Sequence, residues 1–273
     1  MTEKVSYRHY SGTAAENYER YFVPAIARPV AADLLRAATL QPGERVLDVA
    51  CGTGIIARLA AEQVGPTGVV AGVDVASDMI EVARAAAAPS EPVIEWSQGD
   101  AAALPLPDGS FDVVLCQMGL MLVADKPAAL AEMRRLLVAG GRVALSTPGT
   151  INRPMALLAD ALARHIDPNL AGFVRAVFSM DDPIEHEQLL HDAGFTDVEA
   201  TVVTATLHLP APREFLWQYI NLTPLGSFVH QAPEAAQAAV EHDVVGQWQA
   251  FVEDSGGAVD QPMVVATGTA KAV

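Results

Sequence analysis

The stretch VLDVACGTG, residues 46–54, decides the fold of this chain. A β-branched run ends in Asp48, and Gly52 and Gly54 then allow a tight turn. Residues 55–64, which follow, have the composition of a helix. A parallel strand that turns into a helix in this way directs the amino terminus of the helix towards a ligand. The motif therefore predicts a ligand site at the end of the first strand of an α/β sheet.

Outward from this motif, short β-branched runs alternate with helical runs between Arg45 and Thr147. The alternation is typical of repeated βαβ units and a parallel sheet. The predicted strands are residues 45–50, 68–75, 92–98, 111–117 and 142–148. The predicted helices are 55–64, 77–87 with Ser77 as N-cap, and 126–138, the last ending at Gly140 and Gly141.

After Pro148 the pattern changes to two longer, mostly helical insertions. A helix at 184–193 and a sixth strand at 195–209 separate them, and a last strand follows at 262–270. If strands five and six are parallel, both insertions leave from the carboxyl edge of the sheet and form a helical lid over its ligand site. We therefore expect one domain over residues 1–273. Its parts are an N-terminal helical arm (1–44), a cofactor-binding core (45–147), two lid insertions (148–180 and 211–258) and the remaining core (181–210 and 259–273).

The composition excludes several functional classes. With 17 basic and 33 acidic residues the net charge is −16, which opposes nucleic acid because polyanions are bound by basic side chains. No apolar run approaches the roughly 20 residues that cross a bilayer, and the start lacks a signal-peptide layout, so we expect a cytoplasmic protein without a membrane partner. Cys51 and Cys116 are expected as reduced thiols, and no metal site is expected.

The glycine motif by itself leaves two ligand classes open. Gly52, Gly54 and Ala57 satisfy the G-x-G-x-x-A pattern of dinucleotide sites, and Asp74 follows at the distance where NAD enzymes carry a ribose-binding acid. Against this, Asp48 would place a carboxylate opposite an anionic pyrophosphate. A ligand ammonium suits this position better, although an NAD(P)-dependent oxidoreductase remains an alternative.

Three carboxylates end successive predicted strands, namely Asp48, Asp74 and Asp100. Because the strands are parallel, these side chains are expected along one edge of the sheet. That edge offers acceptors for an ammonium, a ribose diol and an exocyclic amine. Together these three groups describe S-adenosylmethionine.

Four ordered motifs between about Tyr18 and Thr147 carry a family resemblance: VLDVACGTG, GVDVASDMIEVAR, QGDAAALPLPDGSFDVV and MRRLLVAGGRVALSTP. They resemble the class I S-adenosylmethionine-dependent methyltransferases of the type that includes the ubiquinone/menaquinone C-methyltransferases. The resemblance implies a Rossmann-like seven-stranded, mostly parallel sheet flanked by helices, whose last strand is antiparallel and inserted between strands five and six. It also implies S-adenosylmethionine as cofactor, S-adenosylhomocysteine as product and a small-molecule methyl acceptor.

The same resemblance implies which residues bind the cofactor. They are Asp48, Ala50 and Gly52 near the methionyl group, Asp74 on the ribose, Val75 and Met79 against the adenine, Asp100 and Ala101 on its amine and ring nitrogen, and Gln117 near the sulfonium. Gly54, the second glycine of the turn, is also expected to take part in cofactor binding. The segment AENYERYFVPAIARP (15–29) predicts a helix running into an extended segment. In related enzymes such an arm closes over the methionine end, where Tyr18 and Arg28 would bind the carboxylate.

The sequence assigns no catalytic residue. His165, His208 and His230 lie in or beside the lid and are candidates for a general base. Apolar side chains of the lid suit an apolar or aromatic acceptor, such as a phenol, quinone or polyketide, although packing of the lid explains them equally well. They are Phe173, Phe178, Met180, Phe215, Leu216, Trp217, Tyr219, Leu225 and Phe228. A non-catalytic cofactor-binding module and a protein methyltransferase are further alternatives, and neither the acceptor atom nor the oligomeric state is predicted.

Overall fold

The computed structural model describes residues 13–87, 92–248 and 256–271. Its strands are β1 (Arg45–Val49), β2 (Val69–Asp74), β3 (Ile94–Gln98), β4 (Phe111–Gln117), β5 (Leu137–Pro148), β6 (Phe195–Leu209) and β7 (Gly257–Ala270). They form one seven-stranded sheet in the order β3-β2-β1-β4-β5-β7-β6. β7 pairs antiparallel with both β5 and β6, and the other pairs are parallel. The predicted sheet is confirmed, including the inserted last strand and the parallel orientation of β5 and β6.

Helices cover both faces of the sheet and its carboxyl edge. They are α1 (Ala14–Asn17), a π-helical segment (Tyr18–Ala27), α2 (Arg28–Ala38), α3 (Ile55–Val64), α4 (Ser77–Ala86), a 3-10 helix (Leu120–Leu122), α5 (Lys126–Leu136), α6 (Arg153–His165), α7 (Pro168–Ala176), α8 (Pro183–Asp192), α9 (Pro212–Asn221), α10 (Leu225–Val229) and α11 (Glu234–Trp248). The ends of the predicted arm and lid, at 1–12 and 249–255, lie outside the described residues. Within the described ranges no helix has the length and apolarity to span a membrane.

The sheet is buried on both faces because the side chains of each strand alternate between two cores. On β4, Val113 and Leu115 belong to the core that α2, α3 and the lid cover, whereas Val114 and Cys116 belong to the core beneath α5 and α8. All four are buried. The near-continuous apolar runs that predicted parallel strands reflect this two-sided burial.

The N-terminal arm differs from its prediction. Residues 14–38 are helical throughout, so the extended segment predicted before Pro29 is absent from this described stretch. Pro24 lies inside the π-helical segment. Because proline lacks an amide hydrogen and crowds the preceding turn, the wider turn accommodates it without ending the helix.

Two predicted helix boundaries are also wrong. Ser77 is the first residue of α4, and Ala76 occupies the N-cap without a side-chain hydrogen bond. Helix α5 ends at Leu136, and Gly140, whose φ is 80°, lies inside β5. Leu137 already pairs with Phe111 on β4, so tertiary pairing draws the chain into the sheet before the glycines. A local sequence pattern does not contain that long-range pairing.

Candidate functional site

A cavity of about 800 Å³ lies at the carboxyl ends of the central strands, beneath the lid. Ligand pockets typically measure about 300–1,000 Å³, so this one is large enough for a nucleoside-sized ligand together with a small second molecule. Except for Gly54 and Arg28, every residue predicted to bind the cofactor lines it. Those residues are Tyr18, Asp48, Ala50, Gly52, Asp74, Val75, Met79, Asp100, Ala101 and Gln117.

The turn after β1 is shaped by a tryptophan from a distant strand. Gly54 has a φ of 86°, and a Cβ atom on it would lie 2.2 Å from Cη2 of Trp96 on β3. Gly52, with a φ of 54°, instead faces the ring of Tyr18 at 3.8 Å. Gly54 therefore lies outside the cavity lining and allows the indole to pack beneath the turn, while Gly52 stays beside the cavity.

Asp48 is a buried carboxylate at the centre of the site. Its side chain is 1% exposed, and its Oδ2 accepts a hydrogen bond from the amide of Ala57 at 3.0 Å. No basic residue of the described ranges forms an ion pair with Asp48. Burial, reinforced by the negative charge of Asp74, raises the pKa of Asp48 to about 8. A ligand cation beside Asp48 would compensate this buried charge.

Asp74 ties the glycine turn to α4. Its Oδ2 accepts from the amide of Gly52 at 2.8 Å, and its Oδ1 accepts from the amide of Ala76 at 2.9 Å. Burial raises the pKa of Asp74, and these amide bonds oppose the rise. Asp100 similarly accepts from the amide of Ala102, at 3.1 Å. Backbone amides thus hold both carboxylates at the edge of the cavity.

The cavity is acidic and lacks a positively charged side chain. Its described lining includes Asp48, Asp74, Asp100 and Asp167 but no lysine, arginine or histidine. Arg58 lies nearby but outside the lining, where it donates to the Thr53 carbonyl at 2.6 Å and to Glu19 at 2.7 Å. This lining suits cationic and neutral groups and disfavours phosphate or a second carboxylate.

The arm closes one side of the cavity. Tyr18 stacks on Phe22 with ring centroids 4.5 Å apart, and burial raises the pKa of its phenol, so Tyr18 stays a protonated donor. Nε2 of Gln117 donates to the Ala27 carbonyl at 2.9 Å and so fastens the arm to β4. Arg28 is exposed and points to no cavity group, so its predicted contact with a ligand carboxylate has no support from this geometry.

The histidines that were candidates for a general base lie elsewhere. His165 contacts Asp243 at 2.8 Å, and His230 contacts Asn221 at 2.6 Å. His208 is exposed on β6. None of the three lines the cavity, so a general-base role in this site is not supported for them.

The predicted lid side chains divide into two groups. Those lining the cavity are Phe173, Phe178, Phe215, Tyr219 and Phe228. Those packed elsewhere are Met180, Leu216, Trp217 and Leu225, and the indole of Trp217 donates to Glu241 at 2.7 Å. The lid therefore contributes both to packing and to the lining of the cavity.

Five polar lining residues were not identified in the sequence analysis: Asn152, Asp167, Asn169, Thr223 and Gln261. Asn152 and Asp167 are side-chain N-caps of α6 and α7, and each helix has a proline at its first or second position. An Asn or Asp just before such a proline is a local signal from which both residues could have been found. Gln261 carries no local signal. Only the antiparallel pairing of β7 brings it to the cavity.

The geometry also bears on a dinucleotide ligand. In such sites the pyrophosphate accepts hydrogen bonds from the amides at the start of the helix after β1. Here Asp48 already accepts from Ala57, in the first turn of α3. A buried carboxylate at the place of the pyrophosphate opposes an NAD-type ligand.

Comparisons with known proteins agree with this geometry. A family model described as a methyltransferase domain matches residues 46–141. The chain is 32% identical over 179 residues to the ubiquinone/menaquinone biosynthesis C-methyltransferase of Cupriavidus taiwanensis, a match that covers 62% of this chain and 74% of that protein. It is 43% identical over 122 residues to the nocamycin O-methyltransferase of Saccharothrix syringae, covering 44% of each chain. The chain spans less than half the length of the first curated relatives that it matches.

A solved structure extends the similarity over nearly the whole fold. Phosphoethanolamine N-methyltransferase 2 of Haemonchus contortus, in complex with S-adenosyl-L-methionine, superposes with a TM-score of 0.59. The sequences are 19% identical, and the match covers 96% of this chain and 58% of that one. At this identity the likeness concerns the fold alone.

Proposed function

Because this chain belongs to the class I S-adenosylmethionine-dependent methyltransferases, of the type that includes the ubiquinone/menaquinone C-methyltransferases, we propose that it methylates a small molecule. The methyl donor is S-adenosylmethionine, the product is S-adenosylhomocysteine, and the acceptor atom is an oxygen, nitrogen or carbon. When bound, the donor supplies a methyl group on a sulfonium, which transfers readily to a nucleophile aligned with the sulfur.

The buried carboxylate of Asp48, in a cavity whose described lining has no cation, is the observation that carries this proposal. An ammonium group fits there because it would favour the ionised form of Asp48, which burial disfavours and which no described residue stabilises by an ion pair. Oε1 of Gln117 is a second fit: it is buried and accepts no hydrogen bond from the described residues, which suits a place beside a sulfonium. The residues present therefore fit the ammonium and the sulfonium of the donor.

Each side chain then has a defined part in binding. Asp48 holds the ammonium, Asp74 accepts from the ribose hydroxyls, and Asp100 accepts from the adenine amine. Tyr18 and the rest of the arm exclude water from the methionyl end. Since no histidine of the described ranges lines the cavity, alignment of the two substrates is the main catalytic contribution of the protein.

We propose an acceptor that is small, largely apolar and quinone-like or otherwise aromatic. Support comes from the aromatic side of the lid, from the lack of a lining cation, and from a relative whose name concerns ubiquinone and menaquinone. The same lack of cations disfavours nucleic acid and phosphorylated acceptors. The predicted cytoplasmic location remains a prediction, as does the absence of a membrane partner.

The alternative functions have less support. The bond from Ala57 to Asp48 opposes an oxidoreductase that binds NAD(P). A cavity of about 800 Å³ leaves room for an acceptor, which a non-catalytic cofactor-binding module does not need. A protein acceptor requires an open groove, and here α6, α7 and α9 cover the site.

Calorimetry tests the proposal. We expect the protein to bind S-adenosylmethionine and S-adenosylhomocysteine but not NAD or NADH. Asp48→Asn keeps the size of the side chain and removes its charge, so we expect affinity for the methyl donor to fall at least about 100-fold. The matched control is Asp160→Asn, which removes an exposed aspartate that pairs with Arg175. Binding of NADH instead, or unchanged affinity of the Asp48 variant, would refute the proposed site.

A further inference from the structure

The acceptor side of the cavity contains two linked amide side chains. Asn152 is the N-cap of α6, and Gln261 lies on β7 and is 4% exposed. Nδ2 of Asn152 donates to Oε1 of Gln261 at 2.7 Å. Both side chains line the cavity, so a polar pair is embedded in a mostly apolar surface beside Met155 and Met263.

The orientation of both side-chain amides follows from their backbone partners, the amide of Met155 and the carbonyl of Pro262. Oδ1 of Asn152 accepts from the amide of Met155 at 3.0 Å, and a backbone N–H requires an oxygen there. Nε2 of Gln261 donates to the carbonyl of Pro262 at 2.6 Å, and a carbonyl requires a nitrogen. With both ends determined, the central bond has one possible direction. The hydrogen bonds therefore determine which atom is nitrogen and which is oxygen in both side-chain amides.

This bonding pattern leaves one hydrogen of each NH₂ group without an acceptor among the described residues. Each NH₂ group has two hydrogens, and each uses one of them within the pair or on Pro262. Among the described residues, neither nitrogen meets a further acceptor. Both side-chain oxygens already accept a bond. A buried N–H without a partner is unfavourable, so an oxygen of the ligand is the group that completes the pair.

Building on the proposed function, we infer that Asn152 and Gln261 form a donor pair that binds a carbonyl or enolate oxygen of the methyl acceptor. Amide donors in an apolar, cation-free surface suit a neutral or delocalised oxygen, whereas phosphate and carboxylate are usually bound by arginine or lysine. Donors aimed at such an oxygen also stabilise the anion of the acceptor, which lowers the pKa of a conjugated hydroxyl or α C–H so that its proton is released to water before the methyl group transfers.

A substitution of Gln261 tests the donor pair more specifically than a substitution of Asn152. Asn152 also borders a second, smaller cavity of about 370 Å³, which Gln261 does not. Gln261→Met keeps the length of the side chain and removes the donor. Gln247→Met is the matched control, because Gln247 is exposed on α11 and lies outside the cavity lining.

The probes are 1-tetralone and tetralin, which have the same ring system and differ by one carbonyl. Ligand-observed NMR titration measures both dissociation constants, with and without S-adenosylhomocysteine. We expect the preference for the ketone over the hydrocarbon to fall about fivefold in Gln261→Met and to stay unchanged in Gln247→Met, because one hydrogen bond is lost. An equal preference in wild type and Gln261→Met, or no binding of the ketone to the wild-type protein, overturns the inference.

A second variant covers the case in which Gln261→Met does not fold. Asn152→Asp keeps the cap on Met155 and removes the donor to Gln261, so we expect the same loss of preference for the ketone. If the proposed function is wrong, the protein will not bind S-adenosylhomocysteine, and this outcome is measured separately. Cofactor binding with an unchanged ketone preference would instead refute the donor pair alone.

Discussion

The two halves of the cavity are built in different ways. The cofactor half, named after its proposed ligand, lies at the ends of β1, β2, β3 and β4, and backbone amides hold its carboxylates in place. The acceptor half comes from helices of both lid insertions and from β6 and β7, and most of its lining is apolar. The first half depends on a few positions at which a tight turn or a buried contact restricts the residue type, whereas the second depends on many side chains that share the packing. This difference predicts unequal tolerance to mutation.

A matched pair of glycine substitutions gives the largest expected contrast. At Gly54→Ala the new Cβ would lie 2.2 Å from Trp96, at a φ of 86°, so we expect the free energy of unfolding to fall by about 3 kcal/mol or more. At Gly172→Ala, inside α7, nothing lies within 4 Å, and we expect a gain of about 0.5–1 kcal/mol. Urea denaturation measures both values. Similar losses in the free energy of unfolding for Gly54→Ala and Gly172→Ala would contradict the unequal tolerance of the two halves.

Asp48→Asn tests the electrostatic side of the same comparison. In the folded protein the pKa of Asp48 is about 8, against an ordinary value of 3.8, so the folded chain keeps a proton that the unfolded chain releases. Its contribution to stability is therefore present below about pH 4 and is lost as the pH rises through 8. Between pH 6 and 8.5 we expect the wild-type free energy of unfolding to fall by about 2 kcal/mol more than that of the variant.

Denaturation of the ligand-free protein at the two pH values provides this measurement. Asp160→Asn is again the control, and we expect it to follow the wild type because its ion pair with Arg175 is exposed. We therefore expect Asp48→Asn, which loses affinity for the methyl donor, to be more stable than the wild type at alkaline pH. Parallel pH profiles for wild type and Asp48→Asn would show that the carboxylate is not desolvated as described.

The smallest expected effect concerns the attachment of the arm to the cofactor half. Gln117→Leu removes the bond from Nε2 to the Ala27 carbonyl, which we expect to cost about 1 kcal/mol. The loss is local, so amide hydrogen exchange in the π-helical segment Tyr18–Ala27 is expected to accelerate while exchange in β4 does not. Gln247→Leu serves as control. Unchanged exchange in the segment would mean that other contacts hold the arm.

The sequence identified more of the cavity lining at the ends of the central strands than in the lid, and particular residues show why. Asp48, Gly52 and Asp74 were identifiable because a strand, a turn and a helix in immediate succession leave a local pattern. Arg28 was predicted to reach the site but is exposed, because the direction of a helical side chain depends on how the arm packs. His165, His208 and His230 were candidates only because they lie in or near the lid segments.

From local sequence patterns we could predict the alternation of strands and helices, the edge of the sheet at which the cavity lies, and the acidic character of that edge. Hydrophobic periodicity and glycine turns are short-range properties, and neighbouring residues encode them completely. The packed fold was needed to show which lid residues line the cavity, where α5 ends and β5 begins, and that Asn152 contacts Gln261. Those contacts join residues far apart in the chain, so their geometry arises from packing and strand pairing and has no local signal.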